Sequence, residues 1–278
     1  MPPLSLICLA APLTTLRVIV TRPEREAQAW AAALQARGVA CETLPLIDIA
    51  ALPESGALAA AWQAVPEHLA LMFVSANAVR FFMAARPPDL ALGPCHAWST
   101  GPGTQAALQA TGWPEVLIDS PGLHAEQFDS ESLWNLVSGA VAAAVKAAPP
   151  DRRPSVLIVR GADAQGQMAG RDWLALQLEQ AGVQVLQAVA YVRQAPVLTA
   201  QQCVRVQESL QDGSAWLFSS SEAAQYLLKA CPGLDVARAR ALATHPRIAQ
   251  RLQAAGWGQV HLVPAGMDAQ AQSIKSLS

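Results

Sequence analysis

The chain has 278 residues, of which 52% are hydrophobic and 14% are charged, and this composition excludes a disordered protein. Its 19 Lys and Arg residues against 21 Asp and Glu residues leave a formal net charge of −2. Without a run of basic residues, that balance argues against a dedicated nucleic-acid-binding protein. At ~150 residues per domain, the length predicts about two domains.

Residues 1–15 are expected to form an extension ahead of the fold. The stretch 1–16 is uncharged, but prolines interrupt it and it is shorter than the ~20 residues that span a membrane. The first basic residue is Arg17, which follows the apolar stretch, whereas a signal peptide carries its positive charge in front. We therefore expect a cytoplasmic protein without membrane contact.

The cysteines and histidines give no indication of a metal site. The 5 cysteines include no C-x-x-C pair, which is typical of reduced, mostly buried thiols in a cytosolic protein. The 5 histidines do not approach the spacing of known metal-binding motifs. No metal is expected.

An internal duplication organises the sequence. An offset of 144 residues relates several pairs across the two halves: Gly38 and Gly182, Ser75 and Ser219, Pro102 and Pro246, Leu108 and Leu252, Gly112-Trp113 and Gly256-Trp257, and Gly122 and Gly266. The apolar run at 18–20 matches 157–159 at an offset of 139, so the second copy contains about five additional residues after Arg160.

Each copy is predicted to alternate short strands with helices. In chain order, the first copy has strands at 17–21, 41–49, 70–75, 96–100 and 116–119, with helices at 24–36, 57–65, 77–85 and 103–110 between them. The second copy repeats this pattern from Ser155 to Pro264. Short apolar strands that alternate with helices predict parallel sheets covered on both faces, and about five strands per copy favour a flavodoxin-like fold. Composition alone would place an interdomain linker at 139–154.

Polar residues follow the predicted strands of both copies, where ligands of open parallel sheets bind. They are Thr21 and Arg22 after the first strand, matched by Arg160 and Gly161; Ser75 and Asn77 after the third, matched by Ser219, Ser220 and Ser221; and Thr100, Gly101 and Thr104 after the fourth, matched by Thr244, His245 and Arg247. Most of them could simply cap a helix, since Ser, Thr and Asn accept the free N–H groups of a first turn. Because the pattern recurs in both copies, it also indicates helix N-termini that bind a ligand with many carboxylates.

Two further features allow more than one interpretation. Tyr191 is one of 2 tyrosines and lies in an extended stretch at 185–193, where it could pack in a core or serve as a general acid. Gly101, Gly103 and Asp119 loosely match a dinucleotide-binding fingerprint, so a nucleotide-dependent α/β enzyme is an alternative. That motif follows the fourth strand, however, instead of the first.

In their order and spacing, these motifs resemble the uroporphyrinogen-III synthase family over residues 16–272. The segments that carry the resemblance are Val18–Pro23, Phe73–Val79, Thr100–Leu108 with Gly112 after it, Val189–Tyr191, Phe218–Ser221 and Thr244–Ala249. Members of this family close the linear tetrapyrrole hydroxymethylbilane in haem biosynthesis. The sequence departs from many relatives at 244–247, where they have a G-x-T-T-like turn, and this leaves open the contributions of His245 and Arg247.

The resemblance implies a different domain division from the one that composition suggests. It implies an α/β fold with two flavodoxin-like parallel-sheet lobes, joined by a two-stranded linker that the chain crosses twice. One lobe is expected from residues 16–44 and 197–278 and the other from 53–188, with linker strands at 45–52 and 189–196. Two such connections would form a hinge that allows open and closed forms.

The resemblance also implies an activity. The expected enzyme is a cyclising hydro-lyase that removes water from hydroxymethylbilane and inverts ring D to give uroporphyrinogen III, without a cofactor. Tyr191 matches the tyrosine proposed to assist the departure of water. The expected substrate-binding residues are Thr21, Arg22, Ser75, Asn77, Thr100, Gly101, Thr104, Arg160, Ser219, Ser220, Ser221 and Thr244.

The expected protein is a monomer that contacts hydroxymethylbilane synthase transiently, if at all. A non-catalytic two-lobed binding protein on the same scaffold is the alternative from another functional class, because a fold does not determine a function.

Overall fold

A computed structural model describes residues 16–52, 56–90, 92–122, 129–168 and 173–277, so the predicted extension at 1–15 lies outside the described residues. The chain divides into two compact units. Unit 1 contains the described residues up to Asp48 together with those from Ala195 onward, and unit 2 contains Ile49–Gln194.

Strands and helices alternate along the chain. The strands are β1 (Arg17–Val20), β2 (Ala40–Thr43), β3 (Asp48–Ala51), β4 (Ala70–Phe73), β5 (His96–Ser99), β6 (Ile118–Asp119), β7 (Ser155–Asp163), β8 (Gln184–Gln194), β9 (Ala215–Phe218), β10 (Arg240–Ala243) and β11 (Gln259–Leu262). The helices are α1 (Glu24–Gln35), α2 (Gly56–Ala64), α3 (Ala76–Ala84), α4 (Pro102–Ala110), α5 (Ser130–Ala147), α6 (Trp173–Gln180), α7 (Ala200–Ser209), α8 (Ser221–Ala230), α9 (Pro246–Ala254) and α10 (Met267–Lys275).

Each unit contains one sheet whose order follows the flavodoxin pattern. Unit 1 has the order β11-β10-β9-β1-β2, in which each pair of neighbours is parallel. The sheet of unit 2 has the order β3-β8-β7-β4-β5-β6, with parallel pairing from β8 to β6. The predicted α/β fold with parallel sheets is thus confirmed.

The two sequence copies exchange strands between the units. Unit 1 combines β1 and β2 of the first copy with β9, β10 and β11 of the second. The sheet of unit 2 combines β3, β4, β5 and β6 of the first copy with β7 and β8 of the second. The stretch 139–154, which composition alone would make a linker, contains the end of α5 and the loop before β7, both inside unit 2.

The single strand predicted at 41–49 is wrong, because the chain forms β2 and β3 there with an irregular segment between them. Pro45 lies in that segment and lacks the N–H group that would extend a ladder. The amides of Leu44 and Leu46 still bond to the carbonyls of Val20 and Thr21 at the end of β1.

Both faces of the unit 2 sheet are covered by helices. Along β4, Leu71 and Phe73 belong to a core with α2 and α3, whereas Ala70 and Met72 belong to a second core with α5 and α6. Successive strand residues point to opposite faces, so this alternation places one core on each side of the sheet. None of the helices in the described ranges has the length and hydrophobicity needed to cross a bilayer.

Unit 1 repeats this arrangement with different side chains. Val18, Val20 and Leu217 share one core with residues of α1 and α10. On strand β9, Trp216 and Phe218 alternate with Leu217 and both contact the ring of Trp257, with centroid distances of 6.1 and 5.2 Å. Alternating apolar strand residues are therefore buried on both faces of this sheet as well.

His68 is a buried ionisable residue in unit 2. It is 8% exposed, and its Nδ1 lies 2.8 Å from the Ser155 hydroxyl. Desolvation lowers the pKa of His68, and the nearby Glu67 carboxylate only partly opposes this effect. Below a pH of about 6.5, the ordinary pKa of histidine, the unfolded chain therefore binds more protons at this position than the folded chain.

We expect the free energy of unfolding to decrease as the pH falls through about 6.5, and His68→Gln to remove this part of the decrease. Urea unfolding of both proteins at several values between about pH 5 and pH 8 measures the difference. Parallel pH profiles for the two proteins would show that His68 does not carry the effect.

Candidate functional site

In both sheets, the strand order reverses at the centre, and the predicted site residues lie in or after the two central strands and the strands beside them. The reversal falls between β1 and β9 in unit 1 and between β7 and β4 in unit 2. Open α/β sheets bind ligands beyond the carboxyl ends of the strands at such a switch point. The predicted residues form two groups, one in each unit. The unit 1 group is Thr21, Arg22, Ser219, Ser220, Ser221 and Thr244, and the unit 2 group is Ser75, Asn77, Thr100, Gly101, Thr104, Arg160 and Tyr191.

At the unit 1 switch point, hydroxyl groups fix the ends of the two central strands. Thr21 is buried, and its hydroxyl donates a 2.7 Å hydrogen bond to the carbonyl of Leu217 in β9. Ser220 is the N-cap of α8, where its Oγ accepts the amide of Glu222 at 3.1 Å. Ser219 and Ser221 are half-buried on either side of this cap.

Arg22 supplies positive charge at the same point. Its guanidinium carbon lies 4.0 Å from the centre of the Trp30 ring, which is a cation–π contact. Burial lowers the pKa of Arg22, although the Glu26 carboxylate acts in the opposite direction. The buried Nε of Arg22 has no hydrogen-bond partner among the residues that the structure describes. A guanidinium is more weakly hydrated than an ammonium group and matches the geometry of a carboxylate, so a half-buried arginine is suited to bind an anion.

In the turn after β10, a histidine caps the next helix. This turn, at 244–247, is where the sequence departs from the G-x-T-T-like turn of many relatives. His245 is exposed and caps α9, because its Nδ1 accepts the amide of Arg247 at 3.1 Å. The sequence does contain a signal for this cap, because His245 directly precedes Pro246 and proline is common at the first position of a helix. Thr244, half-buried, donates its amide to the carbonyl of Phe218.

In unit 2, the N-terminus of α4 has a glycine cap. Gly101 is the N-cap, and a glycine has no side chain with which to accept the amides of the first turn. Gly103 in that turn is exposed, while Thr104 is buried and Thr100 is half-buried. Pro102 has no N–H group and the Thr104 amide donates to the Gly101 carbonyl at 3.1 Å, so the Gly103 N–H is the group of this turn that can face a negatively charged ligand.

Two further predicted residues of unit 2 lie in α3 and in β7. Asn77 occupies the first turn of α3 and accepts a hydrogen bond from Arg80. Arg160 is buried within β7, directly before Gly161. Asn77 is therefore held by a side chain of its own helix.

Tyr191 is brought against Ser75, although 116 residues separate them in sequence. Tyr191 is 5% exposed, and its hydroxyl lies 3.1 Å from the Ser75 hydroxyl. Ser75 is also the N-cap of α3 and accepts the amide of Ala78 at 3.1 Å. The Ser75 O–H can therefore donate to the phenol oxygen, which leaves the phenol O–H for another acceptor.

Asp119, which a dinucleotide-binding site would use to bind the ribose, contacts two other side chains. The Asp119 carboxylate accepts a 3.0 Å hydrogen bond from the Trp98 indole and lies 2.7 Å from Nδ1 of His96. Both contacts are to the same carboxylate oxygen, Oδ2, so that oxygen is already engaged where a ribose-binding carboxylate would accept the sugar hydroxyls. Within the described ranges, no three His, Cys, Asp or Glu residues lie close enough together to bind a metal ion.

Comparison with known proteins identifies the family. A family model described as "Uroporphyrinogen-III synthase HemD" matches residues 28–271. The chain belongs to the uroporphyrinogen-III synthase family. The resemblance predicted from the sequence motifs is thereby confirmed, and so is the main function in haem biosynthesis.

Solved structures of uroporphyrinogen III synthases have the same fold. A mutant enzyme from the extreme thermophile Thermus thermophilus is similar with 18% identity and a TM-score of 0.51, over 94% of this chain and 98% of that one. The enzyme from Helicobacter pylori is similar with 17% identity and a TM-score of 0.58, over 95% of this chain and 100% of that one. Identities this low support the fold, whereas the family assignment rests on the match to the family model.

Proposed function

We propose that this protein converts hydroxymethylbilane to uroporphyrinogen III, acting as a hydro-lyase that removes water and closes the ring with inversion of ring D. The observation that carries the proposal is the pairing of Tyr191 with Ser75 at the switch point of a sheet in a member of this family. No metal or other cofactor is part of the proposal.

Substrate carboxylates would bind to helix N-termini and nearby polar side chains. In unit 2, the Gly103 amide in the first turn of α4 is the best candidate, because the Gly101 cap has no side chain to accept it. In unit 1, Arg22 offers a charged group whose Nε has no acceptor within the described part of the chain. The remaining proposed contacts are Thr100, Thr104, Asn77, Arg160, Ser219, Ser220, Ser221 and Thr244, with Thr21 supporting the end of β1.

Tyr191 would act as the general acid for the departing hydroxyl group. Its O–H donates a proton to that group as the bond to carbon breaks, and water leaves. The Ser75 hydroxyl donates to the phenol oxygen and so stabilises the negative charge that develops there. The phenol regains a proton when the closing ring system loses one, so protons balance over the cycle.

Binding geometry would decide which isomer forms. The substrate closes unaided to the uninverted isomer, so the enzyme must favour the spiro-type route by holding the chain in one conformation. Fixing reacting groups in this way supplies a large part of many catalysed rates.

The test is a coupled assay with porphobilinogen and hydroxymethylbilane synthase, followed by oxidation and chromatography of the uroporphyrin isomers. The proposal predicts that adding this protein shifts the product from isomer I to isomer III. Isomer I alone from a folded sample would refute it and would favour a non-catalytic binding protein on this scaffold.

The proposal includes a cytoplasmic location and a monomeric state, with at most a transient contact with hydroxymethylbilane synthase. The state of the thiols supports the location: Cys41, Cys95, Cys203 and Cys231 are free. Burial raises the pKa of Cys95 to about 12, which keeps that thiol protonated and unreactive. Light scattering of the purified protein, alone and mixed with the synthase, measures both the mass and the contact.

A further inference from the structure

A β-bulge determines where the Tyr191 side chain lies. Along the β7–β8 ladder, Arg160 pairs with Val189, but the next residue, Gly161, pairs with Tyr191, so Ala190 is skipped. As a result, the consecutive residues Ala190 and Tyr191 are both buried in the same core. In a regular strand they would point to opposite faces of the sheet. Bulges commonly re-aim a side chain in this way beside functional sites.

Gly161 leaves the space that the Tyr191 ring occupies. A Cβ atom at Gly161 would lie 2.4 Å from both Cε2 and Cζ of the tyrosine and 2.9 Å from Cε1. These distances are far below van der Waals contact, so a side chain at this position would displace the ring. Gly161 is not among the glycines with positive φ. Its backbone therefore permits other residues, and the tyrosine ring is what requires glycine here.

Two groups on α3, together with Gly161, surround the Tyr191 ring; we call this surrounding the slot. Phe81 stacks on Tyr191 with a centroid distance of 5.8 Å and an angle of 28° between the ring planes. Ser75, at the start of the same helix, holds the phenol hydroxyl at 3.1 Å. The ring thus has Gly161 of β7, Phe81 of α3 and the Ser75 hydroxyl as neighbours, and all of them belong to unit 2.

We propose that Gly161 is a positioning residue for the reaction: the bulge and the missing side chain at Gly161 hold the Tyr191 phenol against Ser75 in the orientation that proton transfer needs. This inference rests on the proposed function, in which Tyr191 is the acid. Gly161 itself touches no reacting atom and acts through the tyrosine ring.

Gly161→Ala is the first variant. We expect kcat for isomer III formation to fall by about 10- to 100-fold, because a catalytic group displaced by about 1 Å loses that much, while KM stays within about twofold. In a Tyr191→Phe background, Gly161→Ala should cause little further loss, since two residues that act through one group are not additive. A loss of kcat that multiplies with that of Tyr191→Phe would overturn the proposal.

Gly139→Ala is the matched control. Gly139 is an exposed residue of α5 in the same unit, and a Cβ there would meet nothing within 4 Å. The same change of one methyl group should leave kcat unaltered at this position. If Gly161→Ala also retained the wild-type kcat, the proposal would be wrong.

Fluorine NMR gives a readout that does not depend on activity. Because the chain has 2 tyrosines, 3-fluorotyrosine labelling gives two resonances, and Tyr191→Phe assigns them. Gly161→Ala should shift the Tyr191 resonance and leave that of Tyr226 unchanged, and an unshifted Tyr191 resonance would overturn the proposal. The two proposals can fail separately. If the wild-type protein made no isomer III but Gly161→Ala still shifted the Tyr191 resonance, the proposed function would be wrong, while Gly161 would still be shown to position the tyrosine ring.

Phe81→Leu keeps the inference testable if Gly161→Ala does not fold. This variant leaves β7 unchanged and removes the stacked ring from α3. We expect a smaller loss of kcat, of about 3- to 10-fold, again absent in the Tyr191→Phe background. If Phe81→Leu lowered kcat equally in the wild-type and the Tyr191→Phe backgrounds, Phe81 would not act through the phenol, and the proposal would be contradicted.

Discussion

Tyr191→Phe is expected to lower kcat for isomer III formation by about 10²- to 10⁴-fold, the range in which general acid catalysis contributes. KM should change little, because the lost O–H acts on the departing hydroxyl group and not on the substrate carboxylates. The phenylalanine ring can keep its place between Gly161 and Phe81, so the fold should be retained. The lost hydrogen bond to Ser75 should reduce the free energy of unfolding by about 1 kcal/mol.

The measurement is kcat and KM for both proteins, with circular dichroism to confirm the fold. Tyr226→Phe is the control, since it removes the other phenol, which lies in α8 of unit 1, whereas the proposed acid belongs to unit 2. That variant should keep the wild-type kcat. A Tyr191→Phe enzyme with kcat within about twofold of wild type would exclude the phenol as the acid.

Trp62→Ala is expected to reduce the free energy of unfolding by about 3–5 kcal/mol, the cost of removing a large aromatic side chain from a packed core. Trp62 is fully buried and stacks on Phe82 with a centroid distance of 4.5 Å. Its indole N–H also donates a 2.8 Å hydrogen bond to the carbonyl of Phe82 at the end of α3. The substitution therefore loosens α3, the helix that carries Ser75 and Phe81.

Urea unfolding of wild type, Trp62→Ala and Trp62→Phe separates the two contributions. Trp62→Phe retains an aromatic ring next to Phe82 and loses the indole N–H, so about 1–2 kcal/mol should be lost. A cost below about 1 kcal/mol for Trp62→Ala would mean that this packing does not stabilise unit 2 as described.

The class of the fold could be predicted because the central strands are buried on both faces. Strands such as β4 and β9 are short runs of apolar residues, and helices separate successive strands along the chain. The break between β2 and β3 was missed because the apolar pattern continues through Pro45. The exchange of strands between the units has no signature in local periodicity, since both copies have the same pattern and either could complete either sheet.

The positions of the site residues were easier to predict than their contacts. Polar residues after apolar runs predicted that Thr21 and Ser75 follow strands, and both do. The hydrogen bond between Ser75 and Tyr191 depends on the pairing of β4 with β7 and of β7 with β8. The sequence indicated Gly161 only as the residue after Arg160. Its pairing with Tyr191 could not be predicted, because the bulge depends on the register between two strands that are distant in sequence.

The most direct test uses purified hydroxymethylbilane and this protein alone, in excess over substrate, after dialysis against a chelator. If the chain itself directs ring closure, isomer III should be the main product in a single turnover, with no partner enzyme and no added cofactor. The claim would be contradicted if isomer I formed in the same proportion as without protein. It would also be contradicted if isomer III appeared only after a partner or cofactor was added.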